Sequence, residues 1–192
     1  MVLYSQYKEE KQILPEYCLG HSLGFQTALV ASGAITFRDA LEFTKLSTQE
    51  ADRIGQELGL CSANLVAEPG INLVALVSKE FPRVSIRTVY SDNKLSVIGL
   101  KEDIGELVEF LQHEAVLVNI PQVKQTFAVH SKYLREHSPK IVNYIGGLEI
   151  RNAIVPVISE VSGEILSGAD RIREELLKNM SSPLNFLTVV RT

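Results

Sequence analysis

Gly20-His21-Ser22-Leu23-Gly24 runs directly into Phe25-Gln26-Thr27-Ala28-Leu29-Val30-Ala31-Ser32 and follows the short apolar run Tyr17-Cys18-Leu19. The run before the pentapeptide is long enough only for the end of a buried strand. The residues after it are small and apolar, as expected of a helix buried against a sheet, and Gly33 is placed to close that helix. A strand-to-helix turn this tight holds its serine in a strained backbone conformation, with flanking glycines giving the main chain room. It would present the Ser22 hydroxyl at a helix N-terminus, where the N–H of Leu23 can stabilise an oxyanion. The same five residues also fit a glycine-flanked turn carrying a solvated serine.

A serine hydroxyl is a poor nucleophile at neutral pH and needs a base. Four histidines are available. His113 follows an amphipathic helix face and reads as solvated; His137 lies in a polar helix end. His21 adjoins Ser22, but neighbours on a sharp turn diverge, so it is expected to anchor the elbow. His130 is delivered into a turn by the apolar run Thr126-Phe127-Ala128-Val129, which makes it the expected base. A satisfied structural histidine is the competing assignment for it.

Beyond the elbow, Thr36 caps a second helix, with Asp39 three positions later, and that helix ends at Gly59. Residues 61–126 differ in character: a strand at Ala63–Ala67, a helix at Ile71–Phe81, a strand at Val84–Tyr90, a turn at Asp92-Asn93, a strand at Leu95–Ile98, a helix at Glu102–Gln112 and a strand at Ala115–Ile120. The order βαββαβ is the ferredoxin-like split unit. After Phe127 the pattern predicts a helix at Ser131–His137 resuming after Pro139, an apolar strand at Ala153–Glu160 and a helix at Ala169–Met180. Residues 1–16 read as a helix running into a turn. The expected architecture is α/β: an α/β-hydrolase-like body from residues 1–60 and 127–192, interrupted by a ferredoxin-like lobe at 61–126.

The 192-residue chain is 45% hydrophobic and 22% charged, the balance of a folded domain. A net charge of -4 and a pI near 5.6 leave no basic footprint for nucleic acid. Cys18 and Cys61 offer neither a metal-ligand spacing nor a disulfide framework, so no metal site and a reducing, cytoplasmic setting are expected. The polar start is unlike a secretory or transit peptide, and no window approaches the ~18 apolar residues of a membrane span.

Taken together, these residues resemble the malonyl-CoA:acyl carrier protein transacylase family of fatty-acid and polyketide synthesis. Gly20-His21-Ser22-Leu23-Gly24, its small-residue helix and Ala31-Ser32-Gly33-Ala34-Ile35-Thr36-Phe37-Arg38-Asp39-Ala40 are similar to the family's elbow and following segment. Phe127-Ala128-Val129-His130-Ser131 resembles its histidine motif. Val155-Pro156-Val157-Ile158-Ser159 and Asn179-Met180-Ser181-Ser182-Pro183-Leu184 resemble its later segments. The resemblance implies ping-pong acyl transfer: Ser22 attacks an acyl-CoA thioester with His130 as base, and the acyl group passes to the phosphopantetheine arm of an acyl carrier protein. It implies no bound cofactor and a histidine oriented by a backbone carbonyl. Asn179 would stand for the family's glutamine near that histidine, as a substrate-binding residue.

The chain also departs from the family. Ser47 stands where the family has an arginine that clamps the malonyl carboxylate, and a hydroxyl cannot replace a bidentate guanidinium. Ser47 in the substrate site is therefore expected to favour an uncharged acyl group. Phe25 takes the place of a usual acidic residue. Only about twenty residues precede Ser22, fewer than the family's N-terminal segment, which completes the oxyanion hole; losing one donor there costs ~10²–10³ in turnover. The chain stops at Thr192, before the family's closing strand, so the expectation is either a fragment or split gene product, or a second chain that supplies the two segments. A non-catalytic relative acting as a binding partner, and a serine thioesterase, are the other functions these residues allow.

Overall fold

The computed structural model describes residues 15–112, 116–119, 126–185 and 187–188. His113, the helix expected before Pro15 and both ends of the last lobe strand lie outside them. Cys18 enters as a strand end: its N–H donates to the Pro156 carbonyl at 2.8 Å and its carbonyl accepts from Ile158 N–H at 2.9 Å. The elbow follows and opens α1 (Leu23–Ala31). Thr36 then caps α2 (Phe37–Glu57), its Oγ1 accepting from Asp39 N–H at 3.1 Å, as the serine/threonine capping rule anticipates.

The next residues build one side of the molecule: β1 (Leu60–Ala67), α3 (Leu73–Glu80), β2 (Ser85–Ser91), β3 (Lys94–Leu100), α4 (Lys101–Leu111) and β4 (Val116–Asn119). The order βαββαβ is that expected from the sequence, and the strands lie β4-β1-β3-β2 with antiparallel pairing throughout. One face of this sheet is apolar. Ala63, Leu65, Leu95 and Val97 pack against Leu73 and Val77 of α3 and Ile104, Leu107 and Leu111 of α4 in a core of their own. Strand alternation sends Ser62, Asn64 and Ser96 to the opposite face, towards the elbow.

The chain returns through α5 (Lys132–His137), α6 (Pro139–Gly147), β5 (Val157–Ile158), β6 (Ile165–Leu166), α7 (Ala169–Ser181) and β7 (Leu184–Asn185). These helices enclose a second core with α1 and α2, in which Phe25, Leu29, Phe43 and Ile54 meet Leu134, Ile141, Ile145, Ile172 and Leu176. Phe43 stacks on Tyr144 with ring centroids 5.8 Å apart. Two features differ from expectation. The strand expected over residues 153–160 pairs only at Val157 and Ile158, with β6 on one side and Cys18 on the other. Pro156 brings no N–H to a ladder, and directly after Ile158 the Ser159 N–H closes the hairpin with β6 on the Glu164 carbonyl at 2.9 Å, where the chain turns. In addition, β7, from the returning segment, adds itself parallel to β2 (Thr88↔Leu184, Val89↔Asn185) and ties the two cores together.

Candidate functional site

Among the described residues, only two non-glycine residues have positive φ: Ser22 at 54° and His130 at 56°. Such backbone costs on the order of 1–3 kcal/mol and persists only where the surroundings over-determine it. At Ser22 the constraint is the elbow. The turn brings Gly20 so close to Gly24 that a Cβ on Gly20 would lie 1.9 Å from the Gly24 carbonyl oxygen, whereas one on Gly24 meets nothing within 4 Å. At His130 the constraint is the end of α7: its N–H donates to the Met180 carbonyl at 2.8 Å. The approach is set upstream, where Ala128 N–H donates to Ala51 of α2 at 3.0 Å. A Cβ on Gly55 would sit 1.8 Å from the Thr126 oxygen, so α2 admits the returning chain only through a glycine.

These two strained residues meet. Ser22 Oγ lies 2.7 Å from His130 Nε2. The other ring nitrogen, Nδ1, is 2.6 Å from the Asn179 carbonyl oxygen. A carbonyl can only accept, so Nδ1 carries the proton, and in the neutral ring Nε2 is left as acceptor for the serine hydroxyl. The carbonyls of Asn179 and Met180 belong to the last turn of α7, where helix carbonyls have no partner within the helix. His130 is 4% exposed, and its pKa falls to about 4. Burial is the main cause; the Asn179 carbonyl opposes it, and the charges of Arg87 and His21 reinforce it.

The other sequence-selected residues take different places. The N–H of Leu23 is the first amide of α1; those of Gly24 and Phe25 are already given to the carbonyls of His21 and Ser22. Asn179 is 1% exposed. Its carboxamide donates not to open space but to Glu160 Oε1 at 2.8 Å, so what it offers the site directly is its carbonyl. Ser47 is buried, donates its hydroxyl to the Thr44 carbonyl at 3.1 Å and lines a cavity of about 230 Å³ together with Ser22, Leu23 and His130. A larger cavity of about 370 Å³ shares Ser22 and His130 with it and is also lined by the polar sheet face. Phe25 is fully packed in the core.

Two residues that sequence reasoning did not select belong here. Glu160, 2% exposed, accepts the Ser22 main-chain N–H at 2.6 Å and holds His21 Nδ1 at 2.7 Å. His21 thus anchors the elbow through an acid that follows β5. Arg87 of β2 lines both cavities. Among the described residues, no group of three His, Cys, Asp or Glu could hold a metal ion, and no helix is long and apolar enough to cross a membrane.

No protein-family model matches the chain. It is 27% identical over 182 residues to the malonyl CoA-acyl carrier protein transacylase of Bacillus subtilis (strain 168), covering 93% of this chain and 57% of that protein. An erythronolide synthase of Saccharopolyspora erythraea is 28% identical over 152 residues, 79% of this chain and 5% of that one. Among solved structures, an acyl carrier protein S-malonyltransferase from Vibrio cholerae superposes with a TM-score of 0.86 at 17% identity, over 98% of this chain and 62% of that chain. A malonyl-transacylase in complex with a type II PKS acyl-carrier protein gives 0.83 at 20% identity, over 98% and 62%. At these identities the structural likeness is one of fold. The chain is thus similar in sequence to malonyl-CoA:acyl carrier protein transacylases and shares their fold, and it spans 57% of the length of the Bacillus subtilis protein.

Proposed function

We propose that the chain transfers an acyl group from CoA to the phosphopantetheine arm of an acyl carrier protein through an ester on Ser22. The carrying observation is the 2.7 Å contact between Ser22 Oγ and the unprotonated Nε2 of a buried, neutral His130. Ser22 Oγ attacks the thioester carbon while His130 Nε2 takes its proton. Negative charge gathers on the former carbonyl oxygen, for which Leu23 N–H is the donor on this chain. The intermediate collapses with cleavage of the C–S bond, and His130 returns the proton to the departing CoA thiolate. In the second half the pantetheine thiol gives its proton to His130 and attacks the ester carbon, and Ser22 leaves with that proton. The imidazolium formed transiently is steadied by the Asn179 carbonyl on Nδ1, so no acid is required on that side of the ring. The acceptor is supported by the relative whose structure holds an acyl-carrier protein.

In this reading residues 1–60 and 127–192 form an α/β-hydrolase-like body that carries both groups. Residues 61–126 form a ferredoxin-like lobe roofing the larger cavity. Ser47 faces the acyl chain from the smaller cavity and brings no charge.

The test is to incubate the protein with acetyl-CoA and malonyl-CoA, with and without holo acyl carrier protein, and follow acyl mass on Ser22. The expected result is an adduct that chases onto the carrier and is lost in Ser22→Ala. Release of the acyl group to water instead of carrier would make the protein a thioesterase. No adduct with either thioester would leave it a non-catalytic binding partner.

A further inference from the structure

The cavity that Ser47 lines also carries a charge that the machinery above does not use. Along β2 the antiparallel register with β3 runs Ser85↔Ile98, Ile86↔Val97 and then Thr88↔Ser96. Arg87 is the extra residue of a β-bulge. Strict alternation would put Arg87 and Thr88 on opposite faces of the sheet. Instead Ile86 packs against the lobe core while Arg87 and Thr88 both line the cavity with Ser22 and His130. Bulges are a recurring means of re-aiming one side chain, often beside active sites.

The re-aimed side chain is a cation without a counter-charge. Arg87 Nε is shielded from solvent and has no hydrogen-bond partner. No carboxylate pairs with Arg87 among the described residues, and burial pulls its pKa down. The buried acid at the elbow, Glu160, is already taken by Ser22, His21 and Asn179. A partly dehydrated guanidinium with its fork open to a cavity is costly unless an oxyanion enters with the substrate. Its position fixes which oxyanion. Arg87 lines both cavities together with Ser22, so it borders the space that an acyl group on Ser22 would enter. The carboxylate of a malonyl group is one methylene from that carbon, whereas the phosphates of CoA and of the carrier arm lie a whole pantetheine away.

We propose that Arg87 is a carboxylate clamp, supplied by the lobe strand instead of α2, that selects dicarboxylic acyl groups such as malonyl. It reverses the preference for an uncharged acyl group that Ser47 alone would suggest, and it rests on the acyl-transfer reading above. As a specificity-determining residue it binds the anionic end of the substrate while Ser22 and His130 do the chemistry.

Two measurements on the full chain test it, with wild type, Arg87→Gln and Arg87→Lys. The first is equilibrium binding of malonate and acetate, followed by the His130 ring resonances, which needs no turnover. Malonate should bind wild type more tightly than acetate, and Arg87→Gln should lose at least about tenfold in malonate affinity, the scale of one hydrogen-bonded charge pair. Arg87→Lys, which keeps the charge and loses the fork, should fall between them and serves as the folded control. The second is the malonyl-to-acetyl ratio of Ser22 loading, which should drop by at least about tenfold in Arg87→Gln. Malonate binding indifferent to Arg87, or equal losses with both thioesters as for a phosphate contact, would overturn the clamp. Absence of any Ser22 adduct would remove the acyl-transfer reading instead, and the malonate titration would still decide the role of Arg87.

Discussion

The main-chain N–H of Ser22 donates to Oε1 of Glu160 at 2.6 Å, across 138 positions of sequence. The same carboxylate holds His21 through Oε2 at 2.7 Å and receives the Asn179 carboxamide at 2.8 Å. Three donors from the elbow and from α7 therefore converge on one buried acid. Glu160 touches neither the Ser22 hydroxyl nor the His130 ring in these contacts. It acts on the backbone that aims them.

Replacing that carboxylate should therefore loosen the site without removing a reacting group. In Glu160→Gln the amide NH₂ would face at least one of the three donors, leaving a buried group unsatisfied. Stability should fall by about 2 kcal/mol, as for a hydrogen bond to a buried charge, and Ser22 acylation should slow on the order of 10–100-fold through misplacement of the hydroxyl. A positioning role predicts a loss in kcat with little change in KM, and Glu160→Asp should recover part of it. Melting curves and single-turnover loading check this. Loading at the wild-type rate in a destabilised Glu160→Gln protein would reduce Glu160 to a structural residue.

How far the sequence reveals these features follows from how local each one is. The elbow backbone, the Thr36 cap and the βαββαβ order are written in neighbouring residues as glycine spacing, a capping pair and hydrophobic period, and all were legible. The apolar run over 153–160 predicts a longer strand than forms because apolar character reports burial, not pairing. Val155 and Val157 are buried, yet only Val157 and Ile158 form a ladder. Glu160 carried no signal beyond an acid ending an apolar run, since its partners are remote in sequence. Arg87 was hidden by the bulge: alternation with Ile86 and Thr88 gives no cue that Arg87 and Thr88 share a face. Only the family resemblance points to Asn179, and the group it presents to His130 is a carbonyl, which any residue type could supply.

The titration of His130 gives a second prediction. Burial holds its pKa at about 4, so Nε2 stays unprotonated far below the pH at which an ordinary imidazole gains its charge. Acyl loading should be nearly flat from about pH 7 to about pH 5 and fall only towards pH 4, where an unperturbed base near 6.5 would already have lost most of its activity. The stability sign follows from proton counting. Between about 6.5 and about 4 the unfolded chain binds the proton and the folded chain does not, so this residue makes stability fall as pH falls through that window, by at most roughly 1.4 kcal/mol per pH unit. His130→Gln should flatten that slope in melts at graded pH. Arg87→Gln, which removes one of the charges opposing the imidazolium, should move the acid limb of loading upward. An acid limb centred near 6.5 in the wild type would contradict the buried, neutral base.

Away from the site, Glu50 of α2 fastens the returning helices. Its carboxylate receives Arg53 at 2.9 Å, Lys140 at 2.9 Å and the Ser138 hydroxyl at 3.0 Å. Its pKa is held down at about 2, with the Arg53 hydrogen bond the largest cause. A depressed carboxylate stabilises fully above its unfolded value and loses that contribution as pH falls through its folded value. Glu50 should therefore contribute at neutral pH and cease to do so between about 4.5 and about 2. Glu50→Gln should cost about 2–3 kcal/mol at neutral pH, less than a fully buried pair because Lys140 is exposed, and the difference from wild type should vanish near pH 2. Denaturant melts at the two pH values check both parts.

The two glycines of the elbow, equivalent in the sequence pattern, should respond oppositely to alanine. A methyl on Gly20 would lie 1.9 Å from the Gly24 carbonyl oxygen, and the obstructing atom is backbone. Relief requires opening the turn that holds Ser22 at φ 54° and shifting the N–H that Glu160 receives. Gly20→Ala should cost more than about 2 kcal/mol, the range of strained-backbone substitutions, and should lower Ser22 loading at least tenfold in whatever fraction folds, since the hydroxyl no longer meets His130 at contact distance. Gly24 lies inside the first turn of α1 with open space where its Cβ would go. Gly24→Ala should be neutral or stabilise by up to about 1 kcal/mol through helix propensity. Paired melts and loading assays of the two variants measure how much of the elbow's strain is spent on placing the serine. Equal tolerance at both positions would mean that the turn can relax without moving Ser22, and the strain would then have no part in aiming the nucleophile.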